Sequence, residues 1–148
     1  MSTVINVRQD TVSVDVKSVD VTLDIISGGI VPANIDTVLE AAQSISALRA
    51  ITTDGNGKAI YATNATASGS VVIGISTTSG STGANINIQT AGTLADASWN
   101  WSKGLIWLGT NGALTQTAPT NGAYIVPIAK AITATTIIID VDTSIQTV

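Results

Sequence analysis

Cysteine, histidine and phenylalanine are all absent from the 148 residues. Without cysteine there is no disulfide, no thiolate metal site and no cysteine nucleophile. Without histidine the commonest general base and metal ligand is missing. Charge is scarce as well, at 11% of residues, while mean hydropathy is positive. A chain with so few charges is expected to bury surface against other subunits. No run of 18 apolar residues occurs, so no transmembrane helix is implied. The opening MSTVINVRQD contains no apolar h-region, so no secretory signal is expected.

What is abundant is strand-and-turn material: isoleucine, valine, threonine, alanine, glycine, serine and asparagine. The length suits one domain with an appendage, enough to bury roughly 68–70% of the unfolded surface. Acidic residues crowd the start. Asp10, Asp15, Asp20, Asp24, Asp36 and Glu40 face only Arg8 and Lys17 over the first 40 residues, and the rest of the chain balances to zero. No basic patch exists to neutralise phosphates, so nucleic acid is not an expected partner.

The stretch Gly104–Val141 reads as short strands stitched by Asn-Gly turns, and Leu48–Gln89 reads as an earlier copy of it. In the first copy Arg49–Thr53 enters Asp54-Gly55-Asn56-Gly57 and returns through Lys58–Tyr61. In the second Leu105–Gly109 enters Thr110-Asn111-Gly112 and returns through Ala113–Thr117. Asn-Gly between strand-like runs signals a hairpin, because a type I′ turn needs positive φ at both central residues. The step from Asn56 to Asn111 is 55 residues, and it also carries Ile73 onto Ile128. Asn85–Gln89 then matches Thr136–Val141 once about four residues are dropped from a loop. Two copies are too few for a solenoid but suit a small closed or nearly closed barrel.

Ahead of the copies, residues 4–26 alternate with period two. Val12, Val14 and Val16 share one phase, and Val19, Val21, Leu23 and Ile25 share the other. The flip at Lys17-Ser18 requires a bulge or a tight turn. With no Gly, Pro or Asn there, a long bulged strand is favoured over a hairpin. Such a strand needs partners, either the same strand in neighbouring subunits or the barrel's own sheet. Ser27-Gly28-Gly29 and Pro32 break it. Thr37-Val38-Leu39-Glu40 has capping-box spacing, and Val38, Ala41, Ala42, Ile45 and Leu48 recur at helical intervals, predicting a short helix over Thr37–Ser46. The expected layout is all-β: an N-terminal strand arm at 1–30, a linker with a short helix at 31–47, and a β-barrel of two similar halves at 48–148.

No constellation points to catalysis. Asp54-Gly55-Asn56-Gly57 lacks the remaining oxygen ligands of a calcium loop and reads as a turn. Asp140 and Asp142 share a strand face without a third group. There is no Ser-x-x-Lys, no Gly-x-Ser-x-Gly and no phosphate loop. No enzyme activity, cofactor or metal is therefore expected. Trp99, Trp101 and Trp107 lie within nine positions. They could fill the core or a subunit contact, or form a platform on which a sugar stacks.

The runs Trp99-Asn100-Trp101 and Leu108–Thr120 (LGTNGALTQTAPT) resemble a segment met in structural proteins of tailed bacteriophages, and Ser46–Lys58 (SALRAITTDGNGK) resembles the opening of the same module. The resemblance spans about residues 46–148. It implies a virion component, commonly trimeric: a capsid decoration protein, a head fibre or a tail-fibre module. Many fibre members follow an apolar β-rich N-terminal segment with a collagen-like stretch. No Gly-x-y repeat follows Ile26, which favours a compact surface protein. The expected partners are other copies of the chain and the major capsid protein or another virion protein, with no membrane involved. The arm residues Val12, Val14, Val16, Val19, Val21, Leu23 and Ile25 are the first candidates for assembly or docking. The alternative is a receptor- or glycan-binding fibre module that meets a host-surface sugar through the tryptophans.

Overall fold

The computed structural model describes residues 34–120 and 123–146 in full, together with the paths of four short strands between residues 12 and 30. Those four are β1 (Val12–Val16), β2 (Val19–Leu23), β3 (Ile25–Ile26) and β4 (Gly29–Ile30). Then come β5 (Ile35–Glu40), β6 (Ala50–Thr53), β7 (Ala59–Tyr61), β8 (Gly74–Ser76) and β9 (Asn85–Ala95). The chain continues with β10 (Gly104–Leu108), β11 (Leu114–Thr115), β12 (Tyr124–Ile125), β13 (Pro127–Ala131), β14 (Thr136–Ile139) and β15 (Ile145–Gln146). The architecture is all-β, with a single 3-10 turn, Thr110–Gly112, among the described residues.

Nine strands form one curled half-barrel sheet in the order β11-β10-β13-β14-β9-β8-β6-β7, with β5 also paired to β9. Its end strands, β11 and β7, do not pair with each other, so the sheet is open. The long strand β9 joins two lobes that share one plan. In the first lobe β6 pairs with β7 and β8, and β9 pairs with β8 and β5. In the second β10 pairs with β11 and β13, and β14 pairs with β13 and the far end of β9.

The registers repeat too. Ala50 pairs with Ile75 and Ile51 with Gly74; 55 residues on, Leu105 pairs with Lys130 and Ile106 with Ala129. Thr52 opposite Ile60 becomes Trp107 opposite Thr115. β5 on β9 becomes the end of β9 on β14 in the same register, once the shortened loop is counted. The β8–β9 and β13–β14 pairings differ by two residues, an even shift that keeps each side chain on its face.

A bulge lets β9 serve both lobes. Ile35 pairs with Ala91 but Asp36 pairs with Gln89, leaving Thr90 as the extra residue. One extra residue reverses the facing of everything beyond it. Ile86 and Ile88 accordingly enter one core while Leu94 packs against the other. Gly92, at φ 97°, supplies a backbone state that side chains with a Cβ resist. The buried Gln89 side chain secures the bend: its Nε2 donates to the carbonyls of Ala91 and Thr93, both at 3.1 Å. Gln89→Leu strips those carbonyls of their donor and is expected to cost about 1–3 kcal/mol, read from urea unfolding.

The smaller core holds Ala41, Ile45, Ile51, Ala59, Ile86 and Ile88. The larger holds Ile106, Leu108, Ile128, Ile137 and Ile139, and also takes Ala50, Ala62, Val72 and Ile75 from the back of the first lobe. Each fully buried isoleucine contributes about 1.5–3 kcal/mol.

Two expectations change. The stretch predicted to be a helix, Thr37–Ser46, begins as strand β5 and continues as bends. Thr37 and Leu39 are half-buried while Asp36, Val38 and Glu40 are exposed, which is the period of a strand. Full pairing along β9 outweighs the capping-box spacing, and Glu40 meets Lys58 at 2.7 Å instead of closing a helix turn. Ile35–Glu40, within the stretch expected to be linker, therefore belong to the first lobe's sheet. The arm is not one long bulged strand either. β1 and β2 pair antiparallel, Val16 opposite Val19, Val14 opposite Val21 and Val12 opposite Leu23. The register also sets Asp15 opposite Asp20. How the side chains of Val12, Val14, Val16, Val19, Val21, Leu23 and Ile25 pack lies outside the described residues.

Candidate functional site

The tryptophans divide into a pair and a single residue. After β9 the chain turns at Asp96, whose carboxylate accepts the Ser98 N–H at 2.8 Å and the Ser98 hydroxyl, contacts that lower its pKa. The turn is tied to the β13–β14 connection: the Asp96 N–H donates to the Thr135 carbonyl and the Trp101 N–H to the Ala134 carbonyl, both at 2.9 Å. Trp99 and Trp101 are thereby laid over the larger core, half-buried, with ring centroids 6.0 Å apart and planes tilted 53°. That separation lies in the range of favourable aromatic pairs. The Trp101 indole N–H is buried without an acceptor among the described residues. In the first lobe the matching segment lays Ala41 and Ile45 over the smaller core, bound by reciprocal Ile45–Gly80 backbone bonds of 2.8 and 2.9 Å. The tryptophan pair is thus the second lobe's version of this cover.

Trp107 stands apart, on the side of β10 opposite the buried Ile106 and Leu108. Leu105, 40% exposed, shares that outer face. Across the sheet Leu105 pairs with Lys130 and Lys130 with the exposed Ile138. Lys130 meets Asp140 at 2.8 Å, with both side chains largely in water, and this contact raises the lysine pKa. Such an exposed pair adds little stability. Large apolar side chains also surface at Val38, 54% exposed, and Val71, 60% exposed.

The two Asn-Gly turns differ. At the first, only Gly57 has positive φ, and the Asp54 N–H donates to the Lys58 carbonyl at 2.9 Å, closing a hairpin with a glycine bulge rather than a type I′ turn. The Asp54 carboxylate accepts the N–H groups of Lys58 and Asn56 at 2.9 and 2.8 Å, which lowers its pKa. At the second, Asn111 and Gly112 both have positive φ, 52° and 68°. Beside the first turn lies an open cleft of about 300 Å³ lined by Thr52, Asp54, Tyr61, Thr63 and Thr66. The Asp142 carboxylate accepts the Thr143 N–H at 2.7 Å. Among the described residues no three acidic side chains gather to hold a metal ion, and no helix is long and apolar enough to cross a membrane.

Leu48 departs from local backbone preference. Its φ of 61° places a non-glycine residue in the left-handed region. The corner is held by the buried Ser76, whose hydroxyl donates to the Ser46 carbonyl at 2.8 Å and accepts the Arg49 N–H at 3.1 Å. No sequence pattern pointed to it.

No family model, curated protein or solved structure matches this chain.

Proposed function

We propose that the chain is a non-enzymatic structural component of a tailed-phage virion, decorating or stabilising the capsid surface as a homo-oligomer, most simply a trimer. The observation that carries this reading is the combination of two buried apolar cores with an outer surface that is poor in charge and carries exposed Leu105, Val38, Val71, Ile132 and Ile138. Such a surface is suited to burial against copies and neighbours. The curled sheet serves as a barrel-type module and works mechanically, by covering area across adjoining capsid subunits. A contact of about 1,600 Å² per site, repeated over a shell, is enough for specific attachment. The resemblance of Trp99–Trp101 and Leu108–Thr120 to phage structural segments supports the virion location.

In this reading the apolar-paired arm, Val12–Leu23 with Ile25, holds the oligomer together. Removing residues 1–30 is expected to lower the mass in solution, measured by light scattering. An unchanged mass contradicts the role of the arm.

A further inference from the structure

The two lobes are not merely alike; they are stacked in order, the back of the first against the core of the second. Ala50, Ala62, Val72 and Ile75, on the back of the first lobe, are buried in the second lobe's core. The second lobe's turn seals that contact. The Gly112 N–H donates to the Ala62 carbonyl at 2.7 Å, and a Cβ on Gly112 would stand 2.6 Å from the Ala50 carbonyl oxygen. The register repeat says where the same two surfaces occur a second time. The back of the second lobe is the face of Leu105, 55 residues after Ala50, and it is exposed where Ala50 is fully buried. The matching turn is Asp54–Gly57, and a Cβ on Gly57 would meet nothing within 4 Å. One chain therefore presents, among its described residues, an uncovered back at one end and an uncovered turn at the other.

We propose that the outer face of the second lobe, Leu105 and Trp107 with Ile138, receives the Asp54–Gly57 end of the first lobe of another copy of this chain, head to tail. The contact between chains continues the contact between lobes. Contacts of this heterologous kind close into rings when the rotation permits. Three chains would set six lobes in a circle. The repeat is not literal: Asn64, whose N–H reaches the Gly109 carbonyl at 3.3 Å, becomes Pro119, which has no N–H. Leu105 and Trp107 are larger than Ala50 and Thr52, so between chains apolar area takes the place of that bond. The proposal shares with the virion reading only the self-association of the chain.

The natural lack of cysteine makes the test direct. Asn56→Cys and Thr117→Cys are made in separate full-length chains, mixed, and treated with a short bismaleimide. Both positions are exposed, and Thr117 is the repeat of Ala62. A cross-linked dimer in the mixture, and in neither chain alone, is the expected result. Leu105→Asp, which leaves both cores untouched, is expected to weaken self-association about tenfold or more while the thermal midpoint of the dissociated chain stays put. Three outcomes overturn the proposal: no cross-link in the mixture, a cross-link with Thr117→Cys alone, or a Leu105→Asp chain of unchanged mass. The last, together with a mass drop on removing residues 1–30, would leave an oligomer held by the arm alone. All these readings are made on purified chain, so they fail or succeed separately from its place on a particle.

Discussion

Alanine at Gly112 is expected to destabilise the protein by about 2–5 kcal/mol, against about 1–2 kcal/mol for alanine at Gly57. Both glycines have positive φ, 68° and 76°, so both substitutions carry the strain of a left-handed residue with a Cβ. Only Gly112 faces a wall. Its added methyl would lie 2.6 Å from the Ala50 carbonyl oxygen, 3.1 Å from the Tyr61 ring and 3.2 Å from the Arg49 Cβ. The nearest of these is backbone of β6, held on both sides by β7 and β8, and it cannot move without parting the lobes. The check is urea unfolding of the two variants side by side. Equal losses would mean that the lobe contact does not depend on this close approach.

Trp101→Ala is expected to cost about 3–5 kcal/mol, the range for a large aromatic removed from a packed site. Trp101 lies on the larger core and against Trp99, and its loss uncovers both. Trp107→Ala is expected to cost well under half as much, because Trp107 joins neither core and stands on the outer face of β10. Thermal unfolding of the two variants measures the difference. Trp101→Phe probes a finer point. The indole N–H is buried without an acceptor among the described residues, so removing it relieves an unpaired polar group while shrinking the side chain. The two effects oppose each other, and the loss should be much smaller than for alanine.

The duplication was legible because turn chemistry is local. Asn56-Gly57 and Asn111-Gly112 mark the two hairpins, and the strands around them pair as their spacing predicts. The four-residue shortening before Thr136 was readable for the same reason. What failed was decided by partners far along the chain. Thr37–Glu40 carries helix-start spacing, yet it lies against Asn85–Ile88, and nothing within the segment announces that strand. The bulge at Thr90 likewise has no local signal, and β9 runs on past it through Gly92 to Ala95. Lys17-Ser18 lacks turn residues, so only the match of Val14 with Val21 across the hairpin reveals the doubling back. The tryptophans were the hardest. Composition brought Trp99, Trp101 and Trp107 together as one candidate group, whereas the fold puts two over a core and the third on the opposite side of β10.

Under the proposed function the chain works by contact rather than by reaction. The most direct measurement of the proposed virion role is the protein content of purified particles of the phage proposed to carry the chain, by quantitative mass spectrometry with antibody labelling of intact particles. The account predicts this chain on the particle surface, in many copies set by the number of capsid subunits. Particles that lack the chain, with the protein left free in the lysate as a monomer, would contradict it.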